Sequence, residues 1–342
     1  MRSTPACRGR VLATSHNGPA GARPATVDGR PGEDVRVTTA PLPPDGGTTP
    51  EGPARPPLRA DALRARLVSP AGPLGRLEVV TESTSTNAEL ARAVATDPGA
   101  WPAPALLVAE HQADGRGRLG RTWTAPPRAA LLRSLLVRPD VPRAALGWVP
   151  LLAGLATALA LRAAAQVDAV VKWPNDVLVP DPSAPRPGAD GSGTPSRKVA
   201  GILSQVLPDG GVVVGVGLNV SQGRDELAVP GATSLALAGA ASTDREVLLV
   251  ALEEELARVL GRWQRAGGDV RAAGLDSECV ELCATIGTRV RVDLVDGRSV
   301  HGVATGLAPD GGLVVEHDDG TTSVSRSADV HHLRPGDRAE RP

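Results

Sequence analysis

The chain contains no phenylalanine and no tyrosine, and its only aromatic side chains are five tryptophans. Its core therefore has to be built mainly from Leu, Val and Ala, with many small side chains in place of a few large ones. The hydrophobic fraction of 41% in 342 residues is sufficient for such a core, and the length indicates two or three domains.

The chain also has few cysteines and almost no net charge. Of the three cysteines, Cys279 and Cys283 have helical spacing, but no second pair or histidine completes a metal site around them. We interpret these two as buried apolar residues, and the unpaired pattern favours a reducing, cytoplasmic location. The formal net charge is −1, so no overall field attracts nucleic acid, and any anion site has to be local.

Long apolar runs are almost absent. Residues 144–161 carry no charge, but they include Pro150 and are rich in Ala, so we predict a buried central helix and no membrane association. Residues 1–17 lack the apolar run of a signal peptide. Pro and Gly make up one third of residues 1–57, so we predict a disordered tail there, without a helix-turn-helix.

The chemically richest stretch is residues 106–123, where a short apolar strand leads into a loop of interleaved glycines and arginines. These are Gly115, Arg116, Gly117, Arg118, Gly120 and Arg121. Glycine lets a backbone approach a ligand closely, and guanidinium binds phosphate and carboxylate oxygens bidentately. We predict an anion-binding loop; the alternative is a solvated turn with surface arginines. The spacing also matches the dinucleotide fingerprint, but the helix that this motif requires does not follow.

A second polar group precedes a predicted helix. Thr86 followed by Glu89 has the spacing of a capping box, so Ser85, Thr86 and Asn87 are predicted to cap that helix. Clustered hydroxyl and amide groups at a helix start can equally bind a polar ligand. The residues alone favour the cap and leave the ligand site open.

A lysine stands at the end of another predicted strand. Lys172 lies between Val171 and Trp173, and Pro174 forces a turn before the chain resumes as a strand. A buried lysine is costly unless it meets an anion, so this position is a candidate anion site. The alternative is an alternating strand whose lysine faces water.

Further elements follow from periodicity and turn residues. We predict strands at 76–80, 130–138, 198–205 and 211–220, and a helix from Thr243 to Trp263 capped through Glu246. From residue 287 onward, apolar residues alternate with polar ones between Asp-Gly turns, which predicts a small antiparallel barrel. His331 and His332 are interpreted as a polar strand end rather than a metal site.

Together these motifs resemble those of the biotin protein ligases, in the family's order and over about residues 75–335. The matching pieces are Ser85-Thr86-Asn87, Glu110-His111-Gln112, the loop from Gly115 to Trp123, Lys172-Trp173-Pro174-Asn175-Asp176, residues 198–203 and residues 215–220.

The resemblance implies an α+β fold. A mixed sheet flanked by helices, like the catalytic domain of class II aminoacyl-tRNA synthetases, would be followed by a small C-terminal SH3-like β-barrel. The implied division is the tail at 1–57, a biotin- and ATP-binding catalytic domain at 58–280 with a flexible insertion at 181–197, and the SH3-like domain at 281–336. Residues 1–57 do not match the winged helix of some members, so we expect a monofunctional enzyme.

The resemblance also implies the reaction. Biotin would be activated by ATP to biotinyl-5′-AMP and then transferred to one lysine of a biotin carboxyl carrier protein or domain of acetyl-CoA, acyl-CoA or pyruvate carboxylase. The substrates would be ATP and biotin, with Mg²⁺ as the metal ion. We expect a cytoplasmic monomer or homodimer that binds neither nucleic acid nor membrane.

Site residues are assigned by matching position. Lys172 and Arg118 would be catalytic, bracketing the carboxylate and the α-phosphate. Asp176 would help to hold Mg²⁺. The biotin-binding residues would be Ser85, Thr86, Asn87, Gln112, Gly115, Arg116, Gly117, Arg118 and Lys172. The ATP-binding residues would be Arg121, Trp123, Asn175, Asp176, Lys198 and Asn219.

Three other functions compete with this one. A lipoate–protein ligase has a related catalytic domain, but the Arg-Gly loop followed by residues 172–176 favours biotin. A biotin-responsive, nucleic-acid-binding regulator is disfavoured by the near-zero net charge and the unmatched tail. An inactive biotin-binding protein is disfavoured by the presence of both Arg118 and Lys172.

Overall fold

The computed structural model of the protein describes residues 55–184, 195–294, 297–326 and 328–333. Most of the predicted tail, with Cys7, lies outside these ranges, as do residues 185–194 of the predicted insertion. Residues 55–57, assigned to the tail from composition, instead contact the folded body, because Arg55 forms an ion pair with Glu226.

The first part of the chain alternates helices and strands. In order, they are α1 (Ala60–Leu67), β1 (Arg76–Val80), α2 (Thr86–Thr96), β2 (Ala105–Ala109), β3 (Gly115–Arg116), β4 (Thr122–Trp123), β5 (Ala130–Val137), α3 (Val149–Ala165), β6 (Val170–Lys172), β7 (Asp176–Pro180), β8 (Ser196–Val206), β9 (Val212–Asn219), α4 (Arg245–Arg265) and α5 (Leu275–Glu281).

Seven of these strands form one mixed sheet in the order β1-β2-β5-β9-β8-β7-β6. β1 and β2 are parallel, whereas the other neighbouring pairs are antiparallel. β5 is buried along its whole length and β9 along nearly all of it, as expected for Leu- and Val-rich strands at the centre of a covered sheet. The predicted mixed sheet flanked by helices is thereby confirmed.

The two faces of the sheet are covered unequally. α3 and α4 pack together on one face, over a core that includes Leu131, Leu135 and Val214. α2 covers part of the other face, over Leu136 and Val213. Side chains alternate between the two faces of the sheet along each strand. Those on the α2 face that the helix does not cover are therefore available to line a cavity.

The second part of the chain is an antiparallel β domain. Its strands are β10 (Arg289–Leu294), β11 (Ser299–Leu307), β12 (Leu313–Glu316), β13 (Thr322–Ser325) and β14 (Ala328–His332). They form one five-stranded sheet in the order β13-β12-β11-β10-β14. The alternation seen from residue 287 therefore predicted these strands correctly.

Both predicted helix caps are wrong. α2 has Ser85 at its N-cap and no side-chain cap bond, and Glu89 accepts instead from Ser83. α4 is capped by Asp244, whose carboxylate accepts from the backbone of Glu246 and Val247, rather than by Thr243. At α2, Glu89 is bound by Ser83, which lies outside the predicted capping box. At α4, Asp244 takes the N-cap position that the spacing assigned to Thr243.

One helical stretch among the described residues, Arg143–Ala165, has the length and apolar composition of a membrane span. Of the 18 most apolar consecutive residues in this stretch, 67% are buried inside the protein, as in the core helix of a folded domain. α3, which forms most of this stretch, packs against α4 and four strands. This is the buried central helix that the sequence predicts.

The hairpin of β7 and β8 is closed at the end that bears the predicted insertion. Asp181 donates its backbone N–H to Pro195 O over 2.8 Å, and its carboxylate pairs with Arg197. Hydrogen bonds from Ser183 and Arg197 lower the pKa of Asp181 to about 2. The opposite end of the hairpin carries Asp176, which pairs in register with Gly201.

A fully buried ion pair joins the central strand β5 to α4. Arg133 Nη2 lies 2.7 Å from Glu253 Oε1, and both side chains are 0% exposed. Arg133 Nη1 also donates to Val214 O over 3.0 Å. Burial lowers the pKa of Arg133 and raises that of Glu253, so desolvation opposes the attraction between the two charges.

Breaking this pair should cost more than replacing it. We expect Glu253→Leu alone to lower the free energy of unfolding by about 3–5 kcal/mol, because it leaves Arg133 buried and unpaired. Arg133→Met combined with Glu253→Leu should restore most of that loss. Urea unfolding of the three proteins measures both effects, and a double variant no more stable than Glu253→Leu would contradict the argument.

Candidate functional site

A cavity of about 770 Å³ opens on the face of the sheet that α2 leaves uncovered. Its floor is β9, where glycine is required twice. A Cβ on Gly215 would lie 2.2 Å from Asn87 Oδ1, and one on Gly217 would lie 2.6 Å from Trp123 Cε2. The two glycines therefore let Asn87 and Trp123 rest directly on the strand backbone.

Hydroxyl and amide groups from three elements line one end of the cavity. Gln112 Oε1 accepts from the backbone N–H of Thr86 over 2.8 Å and from its hydroxyl over 3.0 Å. Ser134 Oγ on β5 lies 2.7 Å from Thr86 Oγ1 and 2.5 Å from Asn87 Oδ1. Asn87 Nδ2 donates to Leu203 O over 2.8 Å. These bonds fix side chains that the sequence favoured as a cap.

Two cations stand beside this polar end. Lys172 ends β6, and Arg118 comes from the glycine–arginine loop; its Nη1 donates to Asn175 Oδ1 over 3.2 Å. Burial lowers the pKa of both side chains, and the neighbouring Asp176 partly opposes this. Both side chains line the same cavity and both lie near Asp176, so two desolvated cations are available there to bind an anion.

The other end of the cavity combines an indole with charged and amide groups. Lys198 Nζ lies 2.6 Å from Asp176 Oδ1 and 5.6 Å from the centroid of the Trp123 ring. Asn219 Nδ2 donates to Thr233 O over 3.0 Å, and its Oδ1 accepts from Gln222 Nε2 over 2.8 Å. A flat apolar surface beside donors and a cation suits an aromatic base with attached phosphates.

The β domain also contributes to the cavity. Asp329 on β14 lines it and forms an ion pair with Arg121, while Ala328 O lies 3.4 Å from Arg118 Nη1. Arg116, the third loop arginine, pairs with Asp114 at 3.1 Å. All three loop arginines thus have protein partners.

Every predicted site residue except Gly115 lines the cavity. Gly115 serves the loop instead, because a Cβ there would lie 2.2 Å from Trp123 O across the β3–β4 pair. Of the loop glycines, Gly120 has a positive φ, of 75°. Sequence reasoning missed several lining residues, and only the apolar loop among them had no polar signal to read. Among the lining residues that were not assigned are Asp329, Ala228, Val229, Gly231 and Ala232.

The interpretation of Cys279 and Cys283 as buried residues is confirmed. Cys279 and Cys283 are buried free thiols, and burial raises the pKa of Cys279 to about 12. Within the described ranges, no group of three or more His, Cys, Asp or Glu side chains is placed to hold a metal ion.

His332 at the end of β14 supports the strand that ends in Lys172. Its Nε2 lies 3.1 Å from Thr285 Oγ1, which accepts from the backbone N–H of Trp173 over 3.0 Å. Burial lowers the pKa of His332 to about 4, and the charges of Lys172 and His331 act in the same direction. His332 is therefore neutral near neutral pH.

Comparison with known proteins gives the class of protein to which this fold and cavity belong. Residues 78–222 match the model of the Biotin/lipoate A/B protein ligase family, and residues 285–333 match that of the Biotin protein ligase C terminal domain. The first match spans β2, the glycine–arginine loop, Lys172 and β9, and the second spans the β domain.

Individual relatives narrow the class. The chain is 40% identical over 288 residues to the biotin–[acetyl-CoA-carboxylase] ligase of Mycobacterium tuberculosis, covering 82% of this chain and 97% of the relative. It is 28% identical over 265 residues to the bifunctional ligase/repressor BirA of Bacillus spizizenii, covering 74% and 72%. The chain belongs to the biotin protein ligase family.

A solved structure shares the fold. The biotin protein ligase from Aquifex aeolicus, solved in complex with biotin and ATP, superposes with a TM-score of 0.60 at 24% identity. The match covers 75% of this chain and 99% of that protein. The mixed sheet and the β domain are thus one recurring arrangement.

Protonation of His332 should couple stability to pH. Its folded pKa is about 4 and its ordinary value 6.5, so the unfolded chain takes up a proton first as the pH falls. We expect this group to lower the free energy of unfolding progressively between those two values, and His332→Asn to flatten that part of the profile. Urea unfolding at about pH 7 and about pH 5 measures the slope; equal slopes in both proteins would contradict the prediction.

Proposed function

We propose that this chain activates biotin with ATP to biotinyl-5′-AMP and transfers the biotinyl group to a lysine of a biotin carboxyl carrier protein or domain. The observation that carries the proposal is that Lys172 and Arg118 line the same cavity as the polar group of Ser85, Thr86 and Asn87. Membership of the biotin protein ligase family supplies the substrate class.

The first step joins two anions. A carboxylate oxygen of biotin attacks the α-phosphorus of ATP, and pyrophosphate leaves. Lys172 and Arg118 neutralise the carboxylate and the α-phosphate, which allows the two groups to approach, and they stabilise the charge that develops on the phosphoryl oxygens. Their desolvation makes these interactions stronger than in water.

Biotin is held at the polar end of the cavity. The hydroxyl and amide groups of Ser85, Thr86, Asn87 and Gln112 hydrogen-bond the ureido ring, because they are already oriented by one another and by Ser134. Arg116 and Gly117 close over the intermediate. The Leu132 and Leu203 side chains supply apolar lining in a chain without Phe or Tyr.

ATP occupies the opposite end. The adenine ring packs near Trp123, and Arg121, Asn175, Lys198 and Asn219 hold the ribose and phosphates. Asp176 is the carboxylate that would hold Mg²⁺ there. A carboxylate beside a phosphate chain fits that ion, which keeps several waters and binds few protein ligands, and the ion would neutralise phosphate charge.

In the second step the ε-amine of the carrier lysine attacks the carbonyl carbon of the mixed anhydride. An amide bond forms, AMP leaves with the bonding electron pair, and the amine loses a proton. Lys172 and Arg118 remain beside the departing phosphate oxygens. We infer a cytoplasmic enzyme that acts on carboxylases, because biotin carriers are parts of these enzymes.

The fold can be described more finely under this proposal. The catalytic domain begins near residue 58 and is of the class II aminoacyl-tRNA synthetase type, and strands β10 to β14 form an SH3-like domain. The end of α5 at Glu281 supports a boundary close to residue 281, as does the antiparallel order of the last five strands.

Pyrophosphate release tests the proposed reaction. With ATP and Mg²⁺, we expect release that depends on biotin and not on lipoate, because the cavity combines polar groups for a ureido ring with cations for a carboxylate. Release with lipoate alone would reassign the chain to lipoate ligation. If neither biotin nor lipoate causes pyrophosphate release, the proposed adenylation step is contradicted.

Removing either central cation should affect chemistry more than folding. We expect Lys172→Met or Arg118→Gln to slow biotinyl-5′-AMP formation by about 100-fold or more, the effect of losing one preorganised charge at a reacting group. Arg265→Gln on the exposed surface of α4 is the matched control and should leave the rate unchanged. A loss of melting temperature that accounts for the lost rate would contradict the site assignment.

A further inference from the structure

The segment of residues 55–59, which we name the N-terminal strap, is fixed to the body by buried bonds. The backbone N–H of Leu58 donates to Glu110 Oε1 over 2.6 Å, and Pro56 O accepts from Arg245 Nη2 over 2.6 Å. Glu110 and Arg245 are themselves paired at 2.5 Å, and their side chains are only 7% and 6% exposed. The strap is therefore a firm base for the side chain of Arg55.

Arg55 reaches from this base to a loop far away in sequence. Its Nε donates to Ser221 Oγ over 3.1 Å, and its Nη2 donates to Ser221 O over 3.0 Å. Nη1 and Nη2 donate to the two oxygens of Glu226 over 3.1 and 2.6 Å. The side chain is 17% exposed, and its hydrogen bonds are the main cause of the lowered pKa of Glu226. One guanidinium thus holds two points of the loop.

The loop in question, residues 221–232, runs from the end of β9 to the rim of the cavity. At its far end Gly231 O accepts from the backbone N–H of Lys198 over 3.0 Å, and Pro230 O accepts from Arg197 over 2.7 Å. Between the two anchored ends, Ala228 and Val229 line the cavity. Arg55 therefore fixes the near end of a loop whose middle forms a cavity wall.

We propose that Arg55 is a positioning residue for the nucleotide. By holding Ser221 and Glu226 it keeps the loop close to its ligand-bound conformation, so that less conformational freedom is lost when ATP binds. Arg55 has no part in the proposed chemical steps and is not among the residues that line the cavity. The inference rests on the proposed function in taking the cavity end formed by residues 228–232 as the nucleotide end.

Steady-state kinetics on the full chain test the proposal. We expect Arg55→Ala to raise KM for ATP by about fivefold to tenfold, the size expected when charge-assisted hydrogen bonds that order one loop are lost. The KM for biotin and kcat should change by less than about twofold, because the chemical groups stay in place. Arg66→Ala on α1, which removes an exposed ion pair with Glu254 on α4, is the matched control and should give wild-type values.

Hydrogen exchange without ligands supplies a readout that does not depend on activity. Residues 221–229 should exchange faster in Arg55→Ala than in the wild type, while β9 keeps its protection. Unchanged exchange in this loop, or equal increases in KM for ATP and for biotin, would overturn the proposal. A wild-type protein that forms no biotinyl-5′-AMP would contradict the proposed function alone, since the exchange comparison still tests Arg55.

Discussion

Repulsion among positive side chains in one cavity is the constraint that the rest of the fold has to satisfy. Lys172 and Arg118 are desolvated, and Lys198 and Arg121 lie nearby. Lys198 pairs with a carboxylate in the seven-stranded sheet, and Arg121 pairs with one across the domain junction. The free energy gained by burying Leu, Val and Ala in the core offsets the remaining cost of bringing these positive charges together. The charges that destabilise the cavity by itself are those that an anionic substrate stabilises.

Two of the five tryptophans connect the seven-stranded sheet and its helices to the β domain. Trp148 Nε1 donates to Pro309 O over 2.8 Å, and Trp173 Nε1 donates to Gly311 O over 3.0 Å. Both bonds join the catalytic sheet and its helices to the turn between β11 and β12. Because Trp173 follows Lys172 directly, the residue that contacts the β domain also fixes the backbone next to a cation of the cavity. The β domain is in this sense part of the site, even apart from Asp329.

The sequence was sufficient for what is local or carried by a motif. Strand β1 and the lining by Lys172 follow from short patterns. Thr86 was misread from spacing alone because its partners, Gln112 and Ser134, lie 26 and 48 positions away. The pairing of Arg121 with Asp329 spans 208 positions and belongs to no motif. Such contacts depend on how the two sheets pack, which periodicity does not encode; the resemblance recovered Thr86 but not Asp329.

The closed hairpin of β7 and β8 separates the segment that connects the two strands from the strand end that holds Asp176. Its cavity end holds Asp176, and about 16 Å away, five residues along the chain, Asp181 with Pro195 and Arg197 ties the two strands together. A change in the length of the connecting segment is therefore absorbed beyond this tie, without altering the register at Asp176. The same geometry makes the connection a place where a peptide tag or a reporter group can be grafted while the cavity keeps its dimensions.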